Sequence, residues 1–351
     1  MSRDEGANLA KGRRAQRSHA ERIVAAWRRL SGGSKVRDAE RRTLVACSGG
    51  ADSAALAIAL AGACAESVVV AYVAHDIRDE TVVRSEQAHV KALADSLACG
   101  WASVEIQVKS ESGNLEAVAR RKRYAALTEL ARANGCKFIA TGHQATDQLE
   151  TVLMRLMRGT GHVGLRGIAE RRRLATGITL IRPMLSVTRQ EAEALCAEAG
   201  YVPLVDATNT DQSLLRNAVR ARVIPILKDL APGVEARVAR TARLASDSGV
   251  LIELAIQEAS KRCDLVLQDG EASVSVSWSR SALRQEKSAT VRWLLWQHAR
   301  QMAEHADRVD LAAVEPVVRA IFGNGTDPKV WTISTVRVEM TARRVTCTRV
   351  K

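Results

Sequence analysis

Apolar and polar residues between positions 43 and 158 form blocks whose spacing changes in a regular way. Short apolar runs rich in β-branched residues predict strands at 43–47, 68–74, 103–108 and 137–141. The segments between and after them carry apolar residues at helical spacing and predict helices at 53–64, 81–98, 115–134 and 147–158. Alternating strands and helices predict an α/β fold, a doubly wound parallel sheet with helices on both faces.

The pattern changes on either side of this region. Residues 1–18 are polar and basic and are expected to be disordered, and a short helix is predicted at 21–30. A loop with four glycines at 159–167 leads into Arg171, Arg172 and Arg173, which we interpret as part of a mobile, phosphate-seeking segment. A helix at 188–199 and another ending near 225–227 complete the first domain.

A proline–glycine pair at 232–233 precedes a long predicted helix at 234–262, with a basic stripe of Arg237, Arg240 and Arg243. A smaller C-terminal α+β domain follows, with strands predicted at 273–278, 329–334 and 343–349 and helices at 287–304 and 310–322. We therefore divide the chain into a basic, partly disordered extension at 1–40, a nucleotide-binding domain at 41–230 and a C-terminal part at 231–351.

Charge points to a polyanionic partner. The chain carries 52 Lys and Arg against 39 Asp and Glu, a formal net charge of +13, which is typical of a nucleic-acid-binding protein; a role of this excess in solubility alone is the alternative. Aromatic residues make up 3% of the sequence, so recognition should depend on phosphate contacts and shape more than on stacked bases.

The seven cysteines are scattered, and neither a CxxC pair nor a histidine at metal-ligand spacing accompanies them. We interpret them as core residues. An apolar signal region and an uninterrupted apolar run of membrane-spanning length are both missing from the sequence. The sequence thus predicts a reduced, cytoplasmic protein without a membrane segment.

Residues 48–53, Ser-Gly-Gly-Ala-Asp-Ser, lie between the first predicted strand and helix and indicate a loop that binds a nucleotide pyrophosphate. Two glycines let the backbone approach an anion, Ser48 and Ser53 offer hydroxyl donors, and the following helix presents free N–H groups. The lysine of a Walker loop is missing, while Asp52 can hold a metal bound to phosphate, which favours attack at the α-phosphate. A plain Gly-Gly turn is the alternative.

Further polar residues follow other strands of the predicted sheet. His75 comes after the second strand and His143 after the fourth, so that both should face one crevice with Ser48. Asp147 and Glu150 lie three apart at the start of a helix and could form a magnesium site or hold a base. Acidic residues favoured by the helix dipole are the alternative, and His143 could equally close a turn.

Six ordered segments together resemble the tRNA(Ile)-lysidine synthase family of the N-type ATP pyrophosphatases, or PP-loop proteins. They are SGGADS at 48–53, HDIR at 75–78, GNLEAVARRKRY at 113–124, TGHQATDQLETVLMRLMRGTG at 141–161, IRPML at 181–185, and D-x-TN-x-D with RNAVR between 206 and 220. The resemblance spans residues 43–227. It differs from the usual pattern at Thr146, where the family usually has aspartate, and at Gln144, where many members have histidine.

The resemblance implies a carbon–nitrogen ligase that adenylates C2 of cytidine 34 in the isoleucine tRNA with a CAU anticodon and lets free L-lysine displace AMP. ATP and Mg²⁺ are the implied cofactors, and a homodimer is a further expectation. ATP binding is assigned to Ser48, Gly49, Gly50, Ala51, Asp52, Ser53 and His75. Catalysis is assigned to Asp52, Arg120, Asp147 and Glu150, with Asp52 and Asp147 as metal ligands. Substrate or tRNA contacts are assigned to His143, Arg123, Arg216, Asn217 and Arg220.

Two other interpretations stay open at this point. A related PP-loop enzyme could transfer sulfur to tRNA, but members of that kind commonly need reactive or cluster-binding cysteines. A non-catalytic tRNA-binding protein could retain a degenerate nucleotide fold, but Ser48, Asp52, Asp147 and Glu150 are all present.

Overall fold

A computed structural model describes residues 18–76, 79–108, 115–159, 161–204, 215–270, 273–304 and 309–350. Contacts divide the chain into two compact units, Met1–Ser246 and Asp247–Lys351. The disorder predicted for the first residues and the motif positions Arg78, Gly113, Asn114 and 206–211 lie outside the described residues. The predicted domain boundaries at 40 and 230 stay predictions.

The first unit is built on a six-stranded sheet in the order β3-β2-β1-β4-β6-β5. The strands are Thr43–Ala46 (β1), Val68–His75 (β2), Gly100–Ile106 (β3), Phe138–Thr141 (β4), Arg171–Ala175 (β5) and Ile178–Ile181 (β6). Neighbouring strands from β3 to β6 are parallel, while β5 is antiparallel to β6. The predicted α/β fold is confirmed, with an antiparallel strand added at one edge.

Helices cover this sheet on both faces. The longer helices of the first unit are His19–Leu30 (α1), Ala51–Cys64 (α2), Glu80–Ser96 (α3), Leu115–Ala133 (α4), Ala145–Met157 (α5) and Arg189–Glu198 (α7). Shorter ones are His162–Leu165 (α6), Leu215–Ala218 (α8) and Ile224–Leu230 (α9), with a π-helical turn at Val219–Val223. Two apolar clusters lie on the two sides of the sheet, one containing Val45 and Leu56 and the other Leu44 and Leu127.

The β5–β6 hairpin is a correction to the sequence prediction, which left Arg171–Arg173 in a loop. All three arginines are exposed and pair with β6 through Ile181, Leu180 and Thr179. Charged side chains hide the period-2 apolar signal on which strand prediction depends, and they are common on edge strands because they discourage pairing with other chains.

The N-terminal helix α1 belongs to the core of the first unit. Ile23 and Trp27 are 0% exposed and Leu30 is 2% exposed. Ser18 caps the helix by accepting a hydrogen bond from the Glu21 N–H, and the chain leaves it through Gly32 at φ 118°. Residues that we had assigned to an extension are therefore packed against the sheet-covering helices.

The second unit begins within the long helix Val234–Arg262 (α10) and contains a five-stranded antiparallel sheet in the order β7-β8-β11-β10-β9. Its strands are Val266–Asp269 (β7), Ser273–Ser279 (β8), Lys329–Ile333 (β9), Val336–Met340 (β10) and Arg344–Val350 (β11). Helices Arg280–Leu283 (α11), Ser288–Met302 (α12) and Glu315–Phe322 (α13) complete it. The predicted α+β domain is confirmed, while β7 and β10 were not predicted. In the described part of the chain, every helix is too short or too polar to cross a membrane.

Trp27→Ala should destabilise the first unit by about 3–5 kcal/mol, because a fully buried indole is lost and a cavity remains. The Trp27 Nε1–H also donates to Thr43 Oγ1 at 2.9 Å, so the change removes one hydrogen bond from a buried strand residue. Chemical denaturation measures the loss. The control Arg37→Ala alters a side chain that is 87% exposed and should cost less than about 0.5 kcal/mol. Equal effects of the two changes would show that α1 is not part of the core.

Candidate active site

A crevice of about 840 Å³ opens at the carboxyl ends of the parallel strands in the first unit. Ser48 follows β1, His75 ends β2, and Gly142 and His143 follow β4; all of them line the crevice. The sequence prediction that these strand ends meet at one site is confirmed. The same wall includes side chains from helices α2, α4, α5 and α7, so the site is assembled from segments far apart in sequence.

The loop between β1 and α2 presents a helix N-terminus to this crevice. Gly50 is the N-cap residue of α2, and no side chain caps the first turn. Free N–H groups at the start of a 14-residue helix attract an anion by hydrogen bonding and by the helix dipole. The geometry fits the phosphate-binding role that we predicted for residues 48–53.

Two glycines are required by the shape of the loop. Gly49 has φ 83°, and a Cβ placed there would lie 2.5 Å from the Leu204 side chain. Its carbonyl oxygen accepts hydrogen bonds from the Leu204 N–H and the Tyr201 hydroxyl, both at 2.9 Å. A Cβ on Gly142 would lie 2.9 Å from the backbone of Asp52. Because glycine has no side chain, the segment at 201–204 can pack against Gly49 and the segment at Gly142 can pack against Asp52.

The two serines of the loop differ in their surroundings. Ser53 is 8% exposed; its Oγ donates to the Gly50 carbonyl at 3.1 Å and accepts from the Ser48 N–H at 3.2 Å. Ser53 therefore shapes the loop from inside. Ser48 Oγ lies 3.4 Å from Ser53 Oγ at the surface of the crevice. Of the two hydroxyls, that of Ser48 is the better placed to reach a ligand.

Asp52 lies in the first turn of α2 and faces the crevice. Burial, reinforced by the negative charge of Asp147, raises its pKa to about 6, although Arg189 and Gln144 oppose the rise. Its Oδ2 is 3.5 Å from Gln144 Nε2, while its buried Oδ1 has no hydrogen-bond partner among the described residues. A buried carboxylate oxygen without a donor, with a second carboxylate nearby, fits a divalent cation.

Asp147 and Glu150 lie on one face of α5 and both bind two arginines from the segment that begins with α8. Arg216 Nε is 2.8 Å from Glu150 Oε2, and its Nη2 is 3.2 Å from Asp147 Oδ1. Arg220 makes the corresponding contacts at 2.5 and 3.4 Å. The structure thus brings four predicted site residues into one ion-pair network.

The two carboxylates of this network have different access to the crevice. Asp147 lines it, whereas the Glu150 side chain is 0% exposed and is enclosed by the arginines. Asn217 lies beside Arg216 in α8 and is half-buried. Direct contact between Glu150 and a substrate would require an arginine to move away.

The contacts of Thr146 explain why this chain has threonine where the family usually has aspartate. Its hydroxyl donates to Glu235 Oε1 at 2.7 Å, and Lys228 Nζ contacts the same oxygen at 3.1 Å. Glu235 is 4% exposed. Because an aspartate at position 146 would place a second carboxylate against Glu235, threonine is the compatible residue here.

His143 is a neutral group that lines the crevice. Burial, reinforced by the positive charges of Arg182, Arg120, Arg216 and Arg123, lowers its pKa to about 3. Thr141 Oγ1 lies 2.8 Å from its Nδ1. A histidine in this state exchanges hydrogen bonds with a ligand but does not carry charge at neutral pH.

Sequence reasoning missed three charged residues of the crevice, namely Glu86 on α3 and a pair on α7. Arg189 and Glu193 lie one turn apart on α7, and Arg189 Nε donates to Glu193 Oε1 at 2.8 Å. Taken alone in the sequence, this pair is the i,i+4 pattern of an ordinary solvated helix. Only the packing of α7 against α2 brings it near Asp52.

Residues 20–227 match the model of the PP-loop domain family. The chain belongs to the PP-loop family. Within it, the chain is similar to proteins named tRNA(Ile)-lysidine synthase. The one from Symbiobacterium thermophilum is 37% identical over 282 residues, covering 78% of this chain and 58% of the relative. The one from Nostoc sp. is 34% identical over 251 residues, covering 70% and 71% of the two chains. Resemblance to the tRNA(Ile)-lysidine synthase family is confirmed.

The fold itself recurs in a solved structure. The U34-tRNA thiolase NcsA from Methanococcus maripaludis aligns with a TM-score of 0.51 and 16% sequence identity, over 65% of this chain and 80% of that chain. The chain spans between about half and two thirds of the length of several lysidine synthases that it matches, at 58%, 51% and 65%.

Asp52→Asn should make the ligand-free protein more stable near neutral pH. The folded state raises the pKa of Asp52 from 3.8 to about 6, so ionisation of this carboxyl destabilises the folded protein. The destabilisation is absent below about pH 4 and complete above about pH 6. Asparagine removes this cost. We expect a gain of up to about 3 kcal/mol near pH 7.5 that disappears near pH 4.

Thermal unfolding of native and variant protein at several pH values measures this difference. Asp38→Asn is the contrasting control, because the Arg28 guanidinium lowers the pKa of Asp38, and its replacement should reduce stability. A loss of stability in Asp52→Asn near neutral pH would contradict the assigned burial of its charge.

Proposed function

We propose that this chain ligates lysine to C2 of cytidine 34 in the isoleucine tRNA whose anticodon is CAU, at the expense of ATP. The carbonyl oxygen on C2 attacks the α-phosphate of ATP, so that adenylated cytidine forms and pyrophosphate leaves. The ε-amine of free lysine then attacks C2, AMP leaves with the oxygen, and the nitrogen loses its protons as lysidine forms. The similarity to proteins named tRNA(Ile)-lysidine synthase supports this choice of substrates.

One structural observation carries the proposal. The uncapped N-terminus of α2 and the carboxylates of Asp52 and Asp147 share a crevice with Arg120 and Arg123. Phosphate, a cationic amine and the backbone of a nucleic acid each find a surface of opposite charge within this space. An enzyme that joins lysine to RNA with ATP needs all three.

The phosphates of ATP are assigned to residues 48–53, where loop N–H groups and the α2 dipole face the crevice. His75, at the end of β2, is proposed to contact the nucleotide. Arg120 also lines the crevice and is proposed to stabilise negative charge that develops as pyrophosphate leaves. Arg123 and His143 are proposed to contact the RNA.

Mg²⁺ is proposed as the metal cofactor, held by Asp52 together with Asp147. The buried Oδ1 of Asp52, which has no partner among the described residues, supports this assignment. When bound, the ion would neutralise phosphate charge and orient the triphosphate. Both carboxylates line the crevice, and Asp147 would have to exchange its contacts with Arg216 and Arg220 for the ion.

The lysine substrate is assigned to the carboxylate side of the crevice. Asp147 can pair with the ammonium group and bring it near cytidine, and a carboxylate can accept the proton that the amine must lose before it attacks. Glu150 is proposed to act behind Asp147, by holding Arg216 and Arg220 in place through its buried ion pairs. Arg216, Asn217 and Arg220 are proposed to lie along the substrate path.

Sulfur transfer is the second candidate, because the thiolase NcsA shares this fold. The state of six of the seven thiols favours lysine instead. Burial raises the pKa of Cys99, Cys196 and Cys263 to about 11 and that of Cys347 to about 12, and it also raises those of Cys47 and Cys136. Such thiols stay protonated at neutral pH and are poor nucleophiles. A purely RNA-binding protein would not need the carboxylates that line the crevice.

Nucleoside analysis tests the reaction. The purified chain is incubated with ATP, Mg²⁺, labelled lysine and total tRNA, and the digested tRNA is analysed by mass. We expect lysine on cytidine, only in a tRNA with cytidine at the first anticodon position, together with AMP and pyrophosphate. A thiolated nucleoside, or lysine spread over tRNAs without that cytidine, would reject the proposal in favour of another reaction.

Glu150→Gln should impair lysine transfer more than adenylation. The change removes the negative charge that Arg216 and Arg220 share, so the segment from 215 to 220 loses its anchor on α5. Pyrophosphate release reports the first step and lysidine the second. Glu170→Gln, which removes a surface pair with Arg29 at 2.7 Å, is the matched control and should leave both steps unchanged. Equal loss of both steps in Glu150→Gln would remove its proposed link to lysine.

The remaining expectations concern the setting of the protein. The net charge of +13 supports a tRNA partner. The cytoplasmic location and the homodimer stay predictions; light scattering of the purified chain, alone and with tRNA, measures its oligomeric state.

A further inference from the structure

Three guanidinium groups gather around Tyr124 at one side of the crevice. The centre of the Arg120 guanidinium lies 5.3 Å from the Tyr124 ring centroid and that of Arg172 lies 5.8 Å from it. Arg120 Nη2 is also 3.4 Å from the Tyr124 hydroxyl, with which Arg182 interacts as well. The three arginines come from α4, β5 and the residue after β6, so the fold and not the local sequence assembles them.

The positive charges of this cluster, Arg120, Arg172 and Arg182, are not balanced by carboxylates of the described residues. In the part of the chain that the structure describes, no carboxylate forms an ion pair with Arg120, Arg172 or Arg182. Arg182 is 4% exposed and its Nη1 donates to the Ala169 carbonyl at 2.5 Å, while its buried Nε has no hydrogen-bond partner among the described residues. Burial lowers the pKa of Arg182; the Tyr124 hydroxyl opposes this, and the charges of Arg120 and Arg172 add to it.

Gathering like charges around a buried one costs stability, and sites that bear such a cost usually serve a ligand. The missing partner is an anion. Guanidinium groups match the oxygens of phosphate with paired hydrogen bonds, and an aromatic ring beneath them holds their planes in place. The chemistry therefore points to a phosphate group.

The position of the cluster indicates whether this phosphate belongs to the nucleotide or to the backbone of the RNA. Arg120 and Tyr124 line the crevice, whereas Arg172 is exposed on the edge strand and does not line it. The nucleotide phosphates belong at the N-terminus of α2, inside the crevice. A phosphate that touches Arg172 must lie at the rim, where the backbone of an RNA enters.

We propose that Arg172, placed by Tyr124 and by the buried Arg182 behind the ring, binds one backbone phosphate of the RNA next to the base that enters the crevice, while Arg120 keeps its proposed role at the leaving pyrophosphate. This site rests on the proposed function, because it needs an RNA substrate. It adds Arg172 to the substrate-binding residues, makes Arg182 a positioning residue, and gives the hairpin β5–β6 a role in positioning the RNA.

Strand geometry supplies matched controls. Arg172 pairs with Leu180, which belongs to the cluster on the α4 side of the sheet. Arg171 pairs with Ile181, which belongs to the cluster on the other side, and Arg173 alternates with Arg172 in the same way. The three neighbours share charge, exposure and strand, but only Arg172 stands on the side of Tyr124.

The test measures binding of an RNA hairpin that reproduces the anticodon stem and loop with CAU, using the full chain without lysine or ATP. Arg172→Gln should weaken binding about tenfold and make the log–log salt dependence less steep by roughly 0.7 to 0.9, as expected for one lost phosphate contact. Arg171→Gln and Arg173→Gln should change affinity less than about twofold, and Arg172→Lys should restore part of the loss because it keeps the charge.

ATP binding to the same variants separates the two phosphate sources. Arg172→Gln should bind ATP as the native chain does, and its thermal unfolding should match that of Arg171→Gln. Equal loss of RNA affinity in all three glutamine variants, or a loss of ATP affinity with intact RNA binding in Arg172→Gln, would overturn the proposal. The assay needs no product, so a chain that forms no lysidine but still shows the Arg172-specific loss would refute the proposed reaction and keep the RNA site.

Discussion

The buried carboxylate of Glu150 is the constraint on which the site depends. A carboxylate with 0% exposure needs partners of opposite charge, and Arg216 and Arg220 supply them from a segment some 70 residues away in the chain. The same two arginines reach Asp147, which faces the crevice. One electrostatic requirement thus brings the α8 segment against α5 and sets the carboxylate wall of the site.

The other side of the crevice depends on a chain of contacts that starts at the N-terminal helix. Arg22 of α1 forms an ion pair with Glu191, whose carboxylate accepts a hydrogen bond from the Thr188 N–H and so caps α7. Helix α7 in turn carries Arg189 toward Asp52. A helix that resembles a dispensable extension in the sequence therefore orients charges beside the phosphate loop.

Charges of both signs line the crevice. Asp52, Asp147 and Glu193 are acidic, Arg216 contacts Asp147, and Arg189 contacts Glu193. Such a mixture suits a reaction that joins a cationic amine to a polyanion, because each reactant finds groups of opposite charge within one space. The raised pKa of Asp52 and the lowered pKa of His143 are two consequences of the same burial.

Local sequence patterns determined much of this protein. Strands β1 to β4 and helices α2 to α5 were predicted within a few residues, because their apolar spacing reflects contacts with the sheet that every residue of the element shares. The long helix α10 was predicted over 234–262, as observed. The glycine-rich loop could also be recognised, since its function depends on consecutive backbone groups.

Tertiary structure alone decided the rest. Arg216 and Arg220 meet Asp147 and Glu150, and Arg172 and Arg182 meet Tyr124, across distances in sequence at which no periodicity connects them. The β5–β6 hairpin escaped prediction because its arginines carry no apolar alternation. The role of a charged side chain depends on the groups that packing brings near it, and these groups are often distant in sequence. Strand and helix periodicity, by contrast, depends on residues that are close along the chain.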